Sequence, residues 1–300
     1  MNQNIYDKLK QILSSAQVKA DEPMKNHITF RVGGPADVYV LPKTKEELLQ
    51  VITCCKAENV PYYINGSNLL VGDKGYRGVV IQIFKEMNEI TCEGNVICAQ
   101  AGALLSQVAA KALEQSLTGF EFAAGIPGTL GGACVMNAGA YGGEMKDVLK
   151  EVTVLTDEGE FLTIPKEELE LGYRTSVIAK KGYIVIEAVL ELKSGNADEI
   201  RAYMNELKEK RITKQPLEYP SAGSTFKRPE GYFAGKLIED AGLRGYQEGG
   251  AQVSEKHCGF VINRDHATAS DIAGLCGTVQ KRVYEQFGVK LETEVKMLGF

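Results

Sequence analysis

Five short segments of this chain carry residue types that could do chemistry. Tyr173-Arg174-Thr175-Ser176 offers a guanidinium fork suited to a carboxylate or phosphate, beside a phenolic hydroxyl, although an arginine at a strand edge is ordinarily solvated. Ser221-Ala222-Gly223-Ser224-Thr225-Phe226-Lys227-Arg228 sets a hydroxyl on a turn of small residues and ends in two cations. Serine in such a place is most often a turn or cap residue. Leu291-Glu292-Thr293-Glu294-Val295-Lys296-Met297-Leu298 alternates, which puts Glu292, Glu294 and Lys296 on one face, most simply a solvated one. The other two segments are glycine-rich, Asn65-Gly66-Ser67-Asn68 and Gly125-Ile126-Pro127-Gly128-Thr129-Leu130-Gly131-Gly132. Without a Cβ the backbone comes close to a ligand, and converging N–H groups suit a phosphate.

Other motifs fall away. The second glycine loop lacks the G-x-G-x-x-G order of a Rossmann site. Gly231 to Lys236 is one residue short of a P-loop, and Leu237 stands where a hydroxyl must bind Mg²⁺. His257 beside Cys258 invites a Cys/His reading, but neighbours on a strand point to opposite faces. The seven cysteines, an odd number, show no C-x-x-C, so neither a disulfide framework nor a metal site is expected.

The elements that must position these segments begin with a helical stripe, Ile5, Leu9, Ile12 and Leu13. Two strands, Ile28 to Val32 and Ala36 to Leu41, joined at Gly33-Gly34-Pro35, then precede a helix opened by a Thr44/Glu47 capping pattern. A strand at Val60 to Ile64 runs into the first glycine loop, a βαβ beginning. Strands are expected at 78–84, 96–101, 152–155, 159–164, 183–192, 259–263 and 291–298, and helices at 104–117, 197–210, 234–241 and 270–287. Arg211-Ile212-Thr213-Lys214-Gln215-Pro216 reads as the boundary to a last domain. The fold class is α/β passing into α+β.

At 300 residues, with 44% hydrophobic and 24% charged side chains, the chain can build two or three domains. A net charge of −5 gives no field for a nucleic-acid backbone, and no apolar run approaches a bilayer span. No nucleic-acid, membrane or obligate protein partner is expected. Without a signal peptide at its start, the chain is expected in the cytoplasm.

Taken in order, Asn26 to Pro35, Gly66 to Val71, Gly125 to Gly132 with Asn137-Ala138-Gly139-Ala140-Tyr141, Tyr173-Arg174-Thr175-Ser176, Gly223 to Lys227 and Leu291 to Val295 resemble the UDP-N-acetylenolpyruvoylglucosamine reductase family over nearly the whole chain. The resemblance implies a noncovalent FAD held by a two-subdomain unit of the vanillyl-alcohol-oxidase-like type, residues 1–95 and 96–210, and a C-terminal α+β domain, 211–300, for the UDP-sugar. It implies that Asn65, Gly66, Ser67, Asn68, Gly125, Ile126, Pro127, Gly128, Gly131, Gly132, Asn137 and Gly139 hold FAD. Arg174, Ser224 and Glu294 would be catalytic, Tyr173, Lys214 and Arg228 would meet substrate, and NADPH would be the reductant in peptidoglycan synthesis. The chain is similar to the shorter branch of the family, having no room between Arg174 and Arg211 for a tyrosine-bearing insertion. Arg228 stands where the longer branch uses asparagine. The alternatives are another FAD-dependent oxidase or dehydrogenase of the same fold, or a non-catalytic flavin-binding module.

Overall fold

A computed structural model describes residues 2–300. Three sheets organise it. The first runs in the order 18–23, 35–40, 76–81, 62–64, antiparallel at its outer pair and parallel at the other two. Helices α1 (Gln3–Ile12) and α2 (Lys45–Ala57) pack on one side of it. The Thr44 hydroxyl accepts from Glu47 N at 3.1 Å to start α2, whose Leu48, Val51, Ile52 and Cys55 form the buried stripe. Both faces of the sheet are covered. Val38, Val40, Val79 and Ile81 enter one core, while Tyr39 and Val80 enter another.

The second sheet is antiparallel throughout, in the order 161–165, 149–155, 184–191, 96–100, 90–93. It shares the first core with α3 (Leu105–Glu114), α4 (Leu130–Val135) and α5 (Val177–Lys181). The long helix α6 (Ala197–Lys214) buries only Ile200 and Leu207 and is capped by Asn196, whose side chain accepts from Asp198 N and Glu199 N. The last region holds α7 (Ala234–Asp240), a small sheet of 247–248, 251–253 and 261–263, and α8 (Ala269–Phe287). These pack on the second core. The expected division at residue 95 falls inside the 90–93/96–100 hairpin, and the one at 210 falls inside α6.

Two expected strands are not formed as read. Ile28, Phe30 and Val32 are buried alternately, which mimics a strand, yet the segment is a run of turns with Arg31 at φ +57°. The partner of 35–40 is instead Val18–Pro23. In the 291–298 stretch only Lys296–Leu298 is a strand, and it pairs in parallel with Leu69–Val71, next to the first glycine loop. Residues 292–294 lie against 225–227.

Asp73, just beyond that loop, caps α8 across the domain boundary. Its carboxylate accepts from Ala269 N at 2.8 Å, Ser270 N at 2.9 Å and the Ser270 hydroxyl at 2.6 Å. Burial alone would raise its pKa, but these donors outweigh burial and hold it below the ordinary value. Asp73→Ala therefore costs about 1–2 kcal/mol in urea unfolding. Because the folded pKa is depressed, that contribution is present above the unfolded value of about 4 and disappears as pH falls through the folded one.

Helix α4 separates two adjacent glycines by their surroundings. A Cβ on Gly131 would meet the Ala101 Cβ at 2.8 Å, whereas one on Gly132 would meet only the Thr129 hydroxyl at 3.7 Å. Gly131→Ala should lower stability by about 1–3 kcal/mol, and Gly132→Ala should leave it unchanged or raise it by about 0.5 kcal/mol. Thermal melting of the two apoproteins checks the contrast.

Candidate active site

The Tyr173-Arg174 turn is built under strain. Gly172 and Thr175 exchange both backbone hydrogen bonds, at 3.1 and 3.3 Å, leaving Tyr173 and Arg174 as a two-residue turn with Arg174 at φ +53°. That position ordinarily goes to Gly or Asn. The turn is clamped on both sides. Asn137 Nδ2 donates to Gly172 O at 3.1 Å and to Glu144 Oε2 at 2.6 Å, while Asn137 Oδ1 accepts from Lys146 N at 2.9 Å. On the other side the buried Ser176 hydroxyl donates to Val135 O at 2.6 Å and accepts from Ala179 N to start α5. Strain held in place by its surroundings aims a side chain.

Here it aims Arg174 at Glu294. Nε of Arg174 lies 3.0 Å from Glu294 Oε1, a charge contact without hydrogen-bond alignment, and both side chains are mostly buried. The two terminal nitrogens of the guanidinium meet no protein acceptor among the described residues. Glu294 is fixed through its backbone: its N–H donates to Thr225 O at 2.8 Å and its carbonyl accepts from Asn68 Nδ2 at 3.3 Å. Thr225 in turn is buried, and its hydroxyl accepts from Val261 N at 2.9 Å. Ser224, one residue earlier, is exposed, and its hydroxyl meets no protein partner among the described residues. The loop carrying Ser224 thus lies against the segment carrying Glu294.

Tyr173 closes the same neighbourhood. Its hydroxyl accepts from Arg228 N at 2.9 Å, which joins the strained turn to the serine loop. The Arg228 guanidinium lies over the exposed Phe233 ring, at 4.6 Å. Lys214 is exposed at the end of α6 and meets no partner among the described residues. His257 Nδ1 accepts from Gly259 N at 3.0 Å, and burial lowers its pKa.

The two glycine loops face each other. The Ser67 hydroxyl donates to Pro127 O at 3.1 Å, and a Cβ on Gly128 would lie 3.1 Å from that hydroxyl. Among the described residues no protein acceptor meets the N–H groups of Gly66, Ser67, Asn68, Gly125, Gly128 or Thr129. Those of Ile126 and Gly131 are engaged, by Ala123 O and Ala101 O, and Gly132 N reaches the Thr129 hydroxyl at 3.5 Å. Gly139 sits in a hairpin against Glu144, and Asn137 has its whole amide engaged as described. Asn137 thereby serves the Arg174 turn. The Asn65 Oδ1 is buried without a partner.

A residue that sequence reasoning placed in a linker completes this rim. Arg211, in the last turn of α6, lies against Gly125, where a Cβ would meet its Nε at 2.9 Å, and over the Tyr141 ring at 5.7 Å. Burial lowers its pKa, but from a starting value so high that it stays charged. No carboxylate pairs with it among the described residues. Free N–H groups on two loops, a half-buried cation and an unsatisfied acceptor fit the pyrophosphate and polar edges of a dinucleotide. No cluster of three or more His, Cys, Asp or Glu able to hold a metal ion, and no helix long and apolar enough to cross a membrane, occurs among the described residues.

Comparison with known proteins agrees with this division of labour. Residues 36–165 match the model of an FAD binding domain, and residues 215–298 match the C-terminal domain of UDP-N-acetylenolpyruvoylglucosamine reductase. The reductase of that name from Clostridioides difficile is 56% identical over 99% of each chain, and that from Agathobacter rectalis is 56% identical over 100% of this chain and 99% of its own. The crystal structure of the enzyme from Thermus caldophilus superposes with a TM-score of 0.78 at 37% identity, covering 94% of this chain and 98% of that one. An alkyldihydroxyacetonephosphate synthase, 18% identical with a TM-score of 0.50, shares the fold over 65% of this chain. Around its FAD site and its Arg174–Glu294 pair, this chain belongs to the UDP-N-acetylenolpyruvoylglucosamine reductase family of FAD-dependent oxidoreductases.

Proposed function

We propose that the chain reduces UDP-N-acetylglucosamine enolpyruvate to UDP-N-acetylmuramate with NADPH, in the cytoplasm, for peptidoglycan synthesis. Residues 1–95 and 96–210 would hold FAD and 211–300 the UDP-sugar. The observation that carries this reading is the meeting of Arg174, Glu294 and the Ser224 loop, one from the FAD unit and two from the C-terminal region. FAD, when bound, carries hydride from NADPH to C3 of the enolpyruvyl ether.

Hydride arriving at C3 leaves an electron pair on C2, conjugated with the carboxylate. The terminal nitrogens of Arg174 form a fork for that carboxylate and stabilise the charge as it grows. Glu294 holds the guanidinium by Nε, so the fork needs no reorganisation when charge develops. The Ser224 hydroxyl then gives its proton to C2 and regains one from solvent. Serine is a weak acid in water, but a carbanionic C2 is basic enough that placement decides the transfer. Tyr173 contacts substrate beside Arg174. Lys214 and Arg228 supply cations for the diphosphate.

Stopped-flow absorbance separates the half-reactions. Ser224→Ala should leave flavin bleaching by NADPH intact and slow its reoxidation by the enolpyruvyl sugar by roughly three orders of magnitude or more; equal slowing of both would remove the assignment. Arg174→Lys keeps the charge and loses the fork. It should lower kcat/KM for the enolpyruvyl substrate about 100-fold, or about 2.7 kcal/mol, with flavin reduction unchanged.

A further inference from the structure

A buried hydrogen-bond chain runs from Glu22 to the cofactor loop, and its protons can be counted. The count begins at the His27 main-chain carbonyl, which can only accept. Asn65 Nδ2 lies 3.1 Å from it and 2.7 Å from Gln82 Oε1. Both protons of the Asn65 amide are thereby committed, which fixes its orientation: turned over, Asn65 would set two acceptors face to face. Gln82 Oε1 is therefore an acceptor, and the Tyr39 hydroxyl, 2.5 Å away, gives it its single proton. The Tyr39 oxygen must then accept from His27 Nδ1, at 3.0 Å. The other ring nitrogen, Nε2, lies 2.7 Å from Glu22 Oε1, a contact that also requires a proton. Lys19 Nζ, 3.4 Å from Glu22 Oε1 and 5.9 Å from the Tyr39 ring, is the other charged group facing the pair and favours a carboxylate there. The count therefore leaves one proton on His27 Nδ1 and another between Nε2 and Glu22.

What emerges at the far end is one unused atom. Asn65 Oδ1 is buried and unpartnered, in a loop that the same 27–29 segment also holds through the Thr29 hydroxyl, which donates to Ser67 O at 2.7 Å. A buried acceptor without a donor is costly, so its place implies a donor that arrives with a ligand. We propose that Glu22, His27, Tyr39 and Gln82 are positioning residues of the cofactor loop: the His27 carbonyl and the Gln82 amide, itself held in place by Tyr39, the His27 ring and Glu22, fix Asn65 so that it presents Oδ1 as an acceptor to an N–H or O–H of FAD. The proposal rests on FAD occupying these loops.

With only three histidines, long-range proton–nitrogen spectra of the ¹⁵N-histidine holoprotein resolve His27, assigned by His27→Gln. A proton on His27 Nδ1 is the expected result, and a ring protonated at Nε2 alone overturns the relay. FAD affinity, followed by fluorescence quenching on adding FAD to apoprotein, should fall roughly ten-fold in Asn65→Leu. Gln82→Leu removes the amide that holds Asn65 and should weaken FAD binding about as far, and the double variant Asn65→Leu/Gln82→Leu should lose no more than either alone. Additive losses, as two separate structural roles predict, would overturn the proposal. Asn65→Leu binding FAD as the parent does would overturn it while leaving the cofactor site intact. No FAD uptake by the parent would remove the cofactor reading as well.

Discussion

Residues 296–298 return to lie in parallel beside 69–71, and that pairing determines what can stand next to what. It brings the segment carrying Glu294 to Asn68, so that one asparagine side chain holds the Glu294 backbone while its own loop keeps N–H groups that no protein acceptor meets among the described residues. It also requires the chain to pass where Gly72 and Gly299 nearly touch: a Cβ on Gly72 would meet Gly299 O at 2.3 Å. The cofactor loop and the acid are therefore parts of one rigid piece, and the Asp73 cap on α8 lies immediately beyond it.

The remaining constraints are directed at a single side chain. Asn137, Ser176 and the Gly172/Thr175 pair hold a turn in which arginine occupies a backbone region it does not prefer, and Glu294 takes up Nε of that arginine. The result is a guanidinium whose fork is oriented before any ligand arrives. Tyr141, at φ +54° in the neighbouring hairpin and beneath Arg211, repeats the pattern on the cofactor side. Asn137, Tyr141 and Arg174, all at positive φ, lie in this one neighbourhood.

Much of this was legible in residue order. The glycine loops stood out by composition and most helices lie within a few residues of their periodic stripes, whereas Arg174, Ser224 and Glu294 read by themselves as ordinary strand-edge, turn and solvated residues and were singled out only by the family resemblance. What was not legible depended on long-range partners. Burial alternates in Ile28 to Val32 as in a strand, yet those residues form turns, because β pairing needs a neighbour that local pattern does not specify. Arg211 read as linker, since nothing local says that α6 ends on Gly125. Gly131 carries a packing constraint that no local pattern shows, since Ala101 leaves no space for a side chain there. The Asn137 amide likewise clamps the arginine turn through a partner 35 residues away.

The separation in sequence between 69–71 and 296–298 also has a temporal meaning. Synthesis proceeds from the N-terminus, and domains fold as they emerge, so the cofactor loops are complete long before Glu294 leaves the ribosome. Closing so long a loop is slow, and Arg174 waits with its strained turn formed and no carboxylate to receive it. A nascent chain can therefore form both glycine loops and the Arg174 turn before the segment that completes the ion pair exists. The Arg174–Glu294 pair forms last, when residues 292–298 dock.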